Sequence, residues 1–208
     1  AFFRYYAPDR GPANWVEDII QWTDQSQTTA VNNRYYAAYR GISRANIILG
    51  RLAAAEISEE VKKQVGAETQ FLRAFYYFDL VTHYGGVPLY LNEVVDEQSS
   101  YVSNATIEDV YAQIISDLNS AIPNLPVAAT FPQTGRATKG AAKMLLAKAY
   151  MSKPQREYLL AESELGDVMN MNYELLDNYG DVFDPNNKNH KESIFEVQYK
   201  EGPDGQQS

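Results

Sequence analysis

The run that most constrains the fold lies between Ala67 and Tyr84, where Phe71, Leu72, Phe75, Tyr76 and Phe78 leave almost no polar face. At 3.6 residues per turn these side chains point in nearly every direction, so a helix made from them has to be enclosed by neighbours on several sides. Its start is marked by Ser58-Glu59-Glu60-Val61, an N-cap residue followed by acids that the helix dipole favours. Gly85-Gly86 ends it, and Val87-Pro88-Leu89-Tyr90-Leu91 reads as a short extended segment.

The neighbours are legible on either side. From 32 to about 55, Tyr35, Tyr39, Ile42, Ala45, Ile48 or Leu49 and Leu52 recur at helical intervals. A polar loop over 96–104 leads to Thr106, an N-cap for a helix whose apolar face is Ile107, Val110, Tyr111, Ile114 and Leu118, stopped by Pro123 and Pro126. A loop to about Arg136 leads to a fourth helix from Thr138 to Ser152, and Pro154 is expected to open a fifth that reaches about Asn170. Ala45, Ala67, Ala74, Ala141, Ala142, Ala147 and Ala149 permit close helix crossings. The fold expected is mainly α: irregular, tetratricopeptide-like helix hairpins, with a short extended segment and a C-terminal strand over Ile194-Phe195-Glu196-Val197-Gln198-Tyr199. Three regions follow: an aromatic-rich irregular segment (1–31), a hairpin scaffold (32–172) and the start of a loop-rich second half (173–208). A lone terminal strand has no partner in a helical fragment, and the first residues carry neither Met nor a signal peptide, so the chain is expected to be part of a longer protein.

Charge narrows the function. A net charge of -9 and a pI near 4.7 speak against nucleic acid, which is bound through clustered Lys and Arg. The absence of cysteine excludes disulfides, thiolate chemistry and a Cys-based zinc site. No apolar run reaches the roughly 18 to 20 residues of a spanning helix. His83 reads as a hydrogen-bonded helix-end residue and His190 as a solvated loop residue, so no metal or cofactor is expected. The adjacent acids Glu59-Glu60 and Glu108-Asp109 stand at helix starts; Glu17-Asp18, Glu162 with Glu164, and Asp181 with Asp184 lie in polar stretches. None reads as the flanking carboxylate pair of a glycosidase, and no nucleophile stands with its base. No enzyme is expected.

The string Ala67-Glu68-Thr69-Gln70-Phe71-Leu72-Arg73-Ala74-Phe75-Tyr76-Tyr77-Phe78-Asp79-Leu80-Val81-Thr82-His83-Tyr84-Gly85-Gly86-Val87-Pro88-Leu89 resembles the signature of the SusD/RagB family. Three further matches follow the family's order: Tyr39, Ile42, Ala45 and Asn46; Gly135-Arg136-Ala137-Thr138-Lys139-Gly140-Ala141-Ala142 with Leu145, Leu146, Ala147 and Tyr150; and Tyr173-Glu174-Leu175 with Phe183, Asn189 and Glu192-Ser193-Ile194-Phe195-Glu196. The resemblance implies a surface-exposed outer-membrane lipoprotein of Bacteroidota-type bacteria. Such a protein binds a polysaccharide or oligosaccharide, closes as a lid over a TonB-dependent transporter, and meets the membrane only through a lipid anchor. RagB-type members are associated with peptide uptake, and tetratricopeptide-like grooves hold peptides, so a peptide ligand stands as the alternative.

The recognisable residues are scaffold residues and do not locate a binding site. Sugar recognition needs flat aromatic faces beside hydrogen-bonding side chains. The segment around Asn14-Trp15 and Trp22-Thr23-Asp24-Gln25 has that mixture and carries both tryptophans of the chain. Trp22, Asn14, Gln25 and Asn33 are therefore the candidate ligand residues, against the plainer reading that the tryptophans pack between helices.

Overall fold

A computed structural model describes residues 25, 28–127, 135–184 and 186–197. Among these residues six helices follow one another: α1 (Thr29–Arg51), α2 (Glu59–Tyr84), the single turn α3 (Glu97–Ser100), α4 (Ile107–Ala121), α5 (Lys139–Ser152) and α6 (Tyr158–Met169). Short 3₁₀ turns occupy Leu52–Ala54, Ile122–Asn124 and Tyr179–Phe183.

The expected caps are made. Ser58 accepts the Val61 N–H, Thr106 that of Asp109 and Thr138 that of Ala141, each satisfying one otherwise orphaned donor. Gly85 ends α2 at φ 73°, a conformation that a Cβ would penalise, with its N–H bonded to the Val81 carbonyl. The polar loop holds the unexpected α3, created by a capping box in which Asp96 and Ser99 bond each other's backbone N–H. The fifth helix does not start at Pro154. The Glu157 N–H returns to the Tyr150 carbonyl, so 153–157 forms a reversal and α6 begins only at Tyr158.

Helix α1 packs on α2, α2 on α4, α4 on α5, and α5 pairs with α6. All seven alanines singled out for close crossing are buried. Helix α2 is thereby covered on two long sides and touched by α5. It is less enclosed than its composition suggests, because Leu72 is exposed and Phe75 only half-buried. Part of that open side is covered by Phe195, whose ring lies 5.2 Å from Phe71 and 6.0 Å from Phe75. This contact accounts for the C-terminal segment: Ile194 to Val197 carries no ladder among the described residues, and the last two residues of the expected strand, Gln198 and Tyr199, lie outside them. Among the described residues no strand lies beside the segment, and its Phe195 ring holds it against α2. The extended stretch after α2 has one isolated antiparallel bridge, Pro88 to Asn104.

Candidate functional site

The site grows out of the way side chains hold the segment over 87–92. Beyond the Val87 carbonyl, which accepts the Ala105 N–H at 3.0 Å in the Pro88–Asn104 bridge, its carbonyls are served by polar side chains. Tyr39 donates to the Pro88 carbonyl at 2.8 Å; Tyr77 and Asn46 donate to that of Tyr90 at 2.8 and 2.9 Å. Arg73 donates to the Leu91 carbonyl at 3.1 Å, and Asn46 also reaches that of Asn92 at 3.2 Å. The Tyr90 N–H in turn donates to the Tyr77 hydroxyl at 2.7 Å. Five bonds donated from α1 and α2 thus fix the extended segment beside α1, whose backbone pairing among the described residues is the isolated bridge at Pro88.

Between this segment and α1 lies a cleft of about 310 Å³ lined by Tyr35, Tyr36, Tyr39, Ser43, Pro88, Tyr90 and Val94. The tyrosines brace one another: Tyr35 and Tyr39 have ring centroids 4.7 Å apart, Tyr39 meets Tyr90 edge-on at 5.9 Å, and Tyr35 meets Tyr84 edge-on at 5.2 Å. The Tyr84 hydroxyl donates to the Val31 carbonyl and that of Tyr90 to the Ser100 carbonyl, each at 2.7 Å. Tyr36 stands at the mouth, 64% exposed, its ring edge-on to Tyr35 at 6.3 Å. Burial, followed by the neighbouring Tyr35 hydroxyl, pushes the Tyr39 phenol well above its ordinary range. Burial likewise raises those of Tyr77 and Tyr84. These phenols stay neutral at physiological pH and act as fixed donors. A rigid aromatic floor, one exposed ring at the rim and the Ser43 hydroxyl suit the apolar face and hydroxyls of a sugar ring. The lining side chains include no carboxylate and no imidazole, so the cleft itself offers no acid–base pair.

Of the residues expected from sequence to bind ligand, Trp22 and Asn14 lie outside the described residues. Gln25 is exposed and makes a turn into α1: its N–H donates to the Thr28 hydroxyl and its carbonyl accepts the Thr28 N–H, both at 2.9 Å. Asn33 is exposed on α1 one turn before Tyr36 and is not among the residues that line the cleft. The cleft was missed because Tyr35 and Tyr39 fit a core periodicity. A signal was present: adjacent residues on a helix diverge by about 100°, so Tyr35 and Tyr36 cannot both face the core.

His83 is a helix-end residue whose Nδ1 lies 2.8 Å from the Asp79 carbonyl. His190 is half-buried instead of solvated, because its Nδ1 accepts the Glu192 N–H at 3.3 Å and closes a turn. Glu59, Glu60, Glu108 and Asp109 do occupy first helical turns, while Glu164 and Asp167 both hold Lys143, at 2.6 and 2.7 Å. Among the described residues no group of three or more His, Asp and Glu side chains is placed to hold a metal ion. None of their helices is long and apolar enough to cross a membrane.

Stacked helix hairpins clamp an extended segment and open an aromatic cleft beside it, which defines a mainly α scaffold of the tetratricopeptide-like kind. The chain belongs to the SusD-like family: residues 8–151 match the family model described as starch-binding associating with outer membrane. It is 30% identical over 184 residues to the SusD-like protein P25 of Formosa agariphila, covering 86% of this chain and 34% of that protein. Among solved structures, a laminarin-binding SusD-like protein shares 35% identity at a TM-score of 0.74, over 83% of this chain and 37% of the other. A structure determined with a xylogluco-oligosaccharide shares 28% at 0.78, over 91% and 39%. The chain spans about a third of the length of the curated relatives it matches.

Proposed function

We propose that this chain supplies the helical scaffold and part of the ligand site of a surface glycan-binding subunit. The subunit captures polysaccharide or oligosaccharide and hands it, chemically unchanged, to a TonB-dependent outer-membrane transporter, while a lipid anchor holds it at the cell surface. The observation that carries the reading is the tyrosine-lined cleft in a chain of the SusD-like family, one structural relative of which is described as laminarin-binding and another of which was determined with a xylogluco-oligosaccharide. The cleft presents neutral phenols, an exposed ring and a hydroxyl without an acid–base pair, which favours retention over cleavage. Trp22, Asn14, Gln25 and Asn33 are proposed as further ligand residues, and of these Asn33 is exposed on α1 one turn before Tyr36.

The test is to present the full-length protein with a glycan array and a peptide library, and to analyse the recovered ligand by mass spectrometry. Binding of saccharide that is returned intact supports the reading. Preference for peptides, or release of shorter sugars by pure protein, overturns it. Co-purification of a TonB-dependent transporter from native outer membranes tests the partner separately.

A further inference from the structure

The chain carries a net charge of -9, yet α1 holds four arginines and no Asp or Glu. Two of the four are neutralised: Arg34 pairs with Asp79 and Arg51 with Glu93. Arg40 and Arg44 are exposed and make no hydrogen bond or ion pair with any described residue. They lie four and eight residues after Tyr36, on the same ridge of α1, and each directly follows a residue that lines the cleft, Tyr39 or Ser43. One exposed ring that lines the cleft and two exposed guanidinium groups therefore follow one another along α1, the arginines standing next to lining residues and not among them. Each guanidinium presents a planar fork of donors that fits a carboxylate or a sulfate ester.

From this row we infer that the glycan this site takes is anionic, a saccharide bearing uronate carboxylates or sulfate esters, with Arg40 and Arg44 reading the acidic groups while Tyr36 covers a ring face. The inference rests on the glycan reading of the cleft and adds a charge class to it. An acidic protein surface would also meet the arginines, but it would leave the recessed tyrosine floor and Ser43 unfilled. A charged sugar engages both.

Three oligosaccharide probes of matched length separate the possibilities on the full-length protein: an oligogalacturonate, a sulfated galactan fragment and a neutral gluco-oligosaccharide. Titrations are run with the wild type and with the Arg40→Gln/Arg44→Gln double variant. Both side chains are exposed and unpaired, so a thermal melt is expected to show an unchanged fold. At least one anionic probe should bind at least about tenfold tighter than the neutral one, a preference that the variant loses, as expected for one charge-assisted hydrogen-bond pair. The carboxyl-reduced or desulfated form of that probe should show the same loss on the wild type, a control independent of the variant's folding. Which anionic probe prefers the site distinguishes carboxylate from sulfate. Equal affinity for neutral and anionic probes overturns the charge inference and leaves the glycan reading standing. Binding of no saccharide overturns both.

Discussion

Arg73 and Asp117 form a two-pronged ion pair inside the molecule, Nε to Oδ2 at 2.8 Å and Nη2 to Oδ1 at 2.7 Å, with side chains only 9% and 3% exposed. The remaining Nη1 donates to Asn46 Oδ1 at 2.9 Å and to the Leu91 carbonyl. Gln113 adds a donor to Asp117 at 2.9 Å. One guanidinium therefore joins α1, α2, α4 and the clamped segment that forms a wall of the cleft. A pair so enclosed is costly to break, because the surviving charge is left buried without its counter-charge.

Replacing Arg73 by Leu is accordingly expected to destabilise the protein by about 3 to 5 kcal/mol, most of it the stranded Asp117 carboxylate. The double change Arg73→Met with Asp117→Leu removes both charges and should recover a large part of that loss. Chemical denaturation of the three proteins measures it. A single variant as stable as wild type would show that the pair is not buried.

Two glycines of α1 make a matched experiment. A Cβ on Gly41 would overlap the Tyr76 ring, which lies directly across it from α2, whereas one on Gly50 meets nothing within 4 Å. An exposed helical Gly→Ala change is worth up to about 1 kcal/mol. Gly50→Ala should therefore raise the melting temperature and Gly41→Ala should lower it, by pushing α1 and α2 apart. Stabilisation by both would mean that the two helices do not approach closely at Gly41.

The buried phenols make stability sensitive to alkali. Burial raises the folded-state pKa of Tyr39, Tyr77 and Tyr84 above the unfolded value of about 10. Below that value both states hold the proton and the groups contribute their full stability. As pH rises past it the unfolded chain ionises first, binds fewer protons than the native one, and stability falls. Ultraviolet titration should show a set of tyrosines that ionises only with loss of helical circular dichroism. Ionisation of all sixteen near pH 10 with the helices intact would contradict the clamp around residues 87–92.

Most of the scaffold could be read in advance because its signals are local. Ser58, Thr106 and Thr138 cap where their chemistry allows, Gly85 ends α2, and the alanines mark the crossings. What could not be read is non-local. Nothing around Arg73 announces that Asp117, forty-four residues later, will share its charge, or that Phe195 will cover Phe71 and Phe75. Pro154 gave a genuine helix-start signal that lost to the Glu157–Tyr150 bond. The cleft was hidden for a related reason: its floor comes from α1 and its wall from a segment about fifty residues on, so no single window of sequence holds both. Of the candidate residues, Asn33 is exposed one turn before Tyr36, Gln25 forms the turn before α1, and all four stay proposals as ligand residues.

The central claim is that the tyrosine cleft binds sugar. Tyr36 tests it best, because it is 64% exposed and its loss costs the core little. Calorimetric titration of the full-length Tyr36→Ala variant with the cognate glycan, beside a thermal melt, should show affinity weakened by about 1 to 3 kcal/mol, as for other stacking aromatics, at an unchanged melting temperature. Affinity equal to wild type in a normally folded variant would contradict the assignment of the cleft.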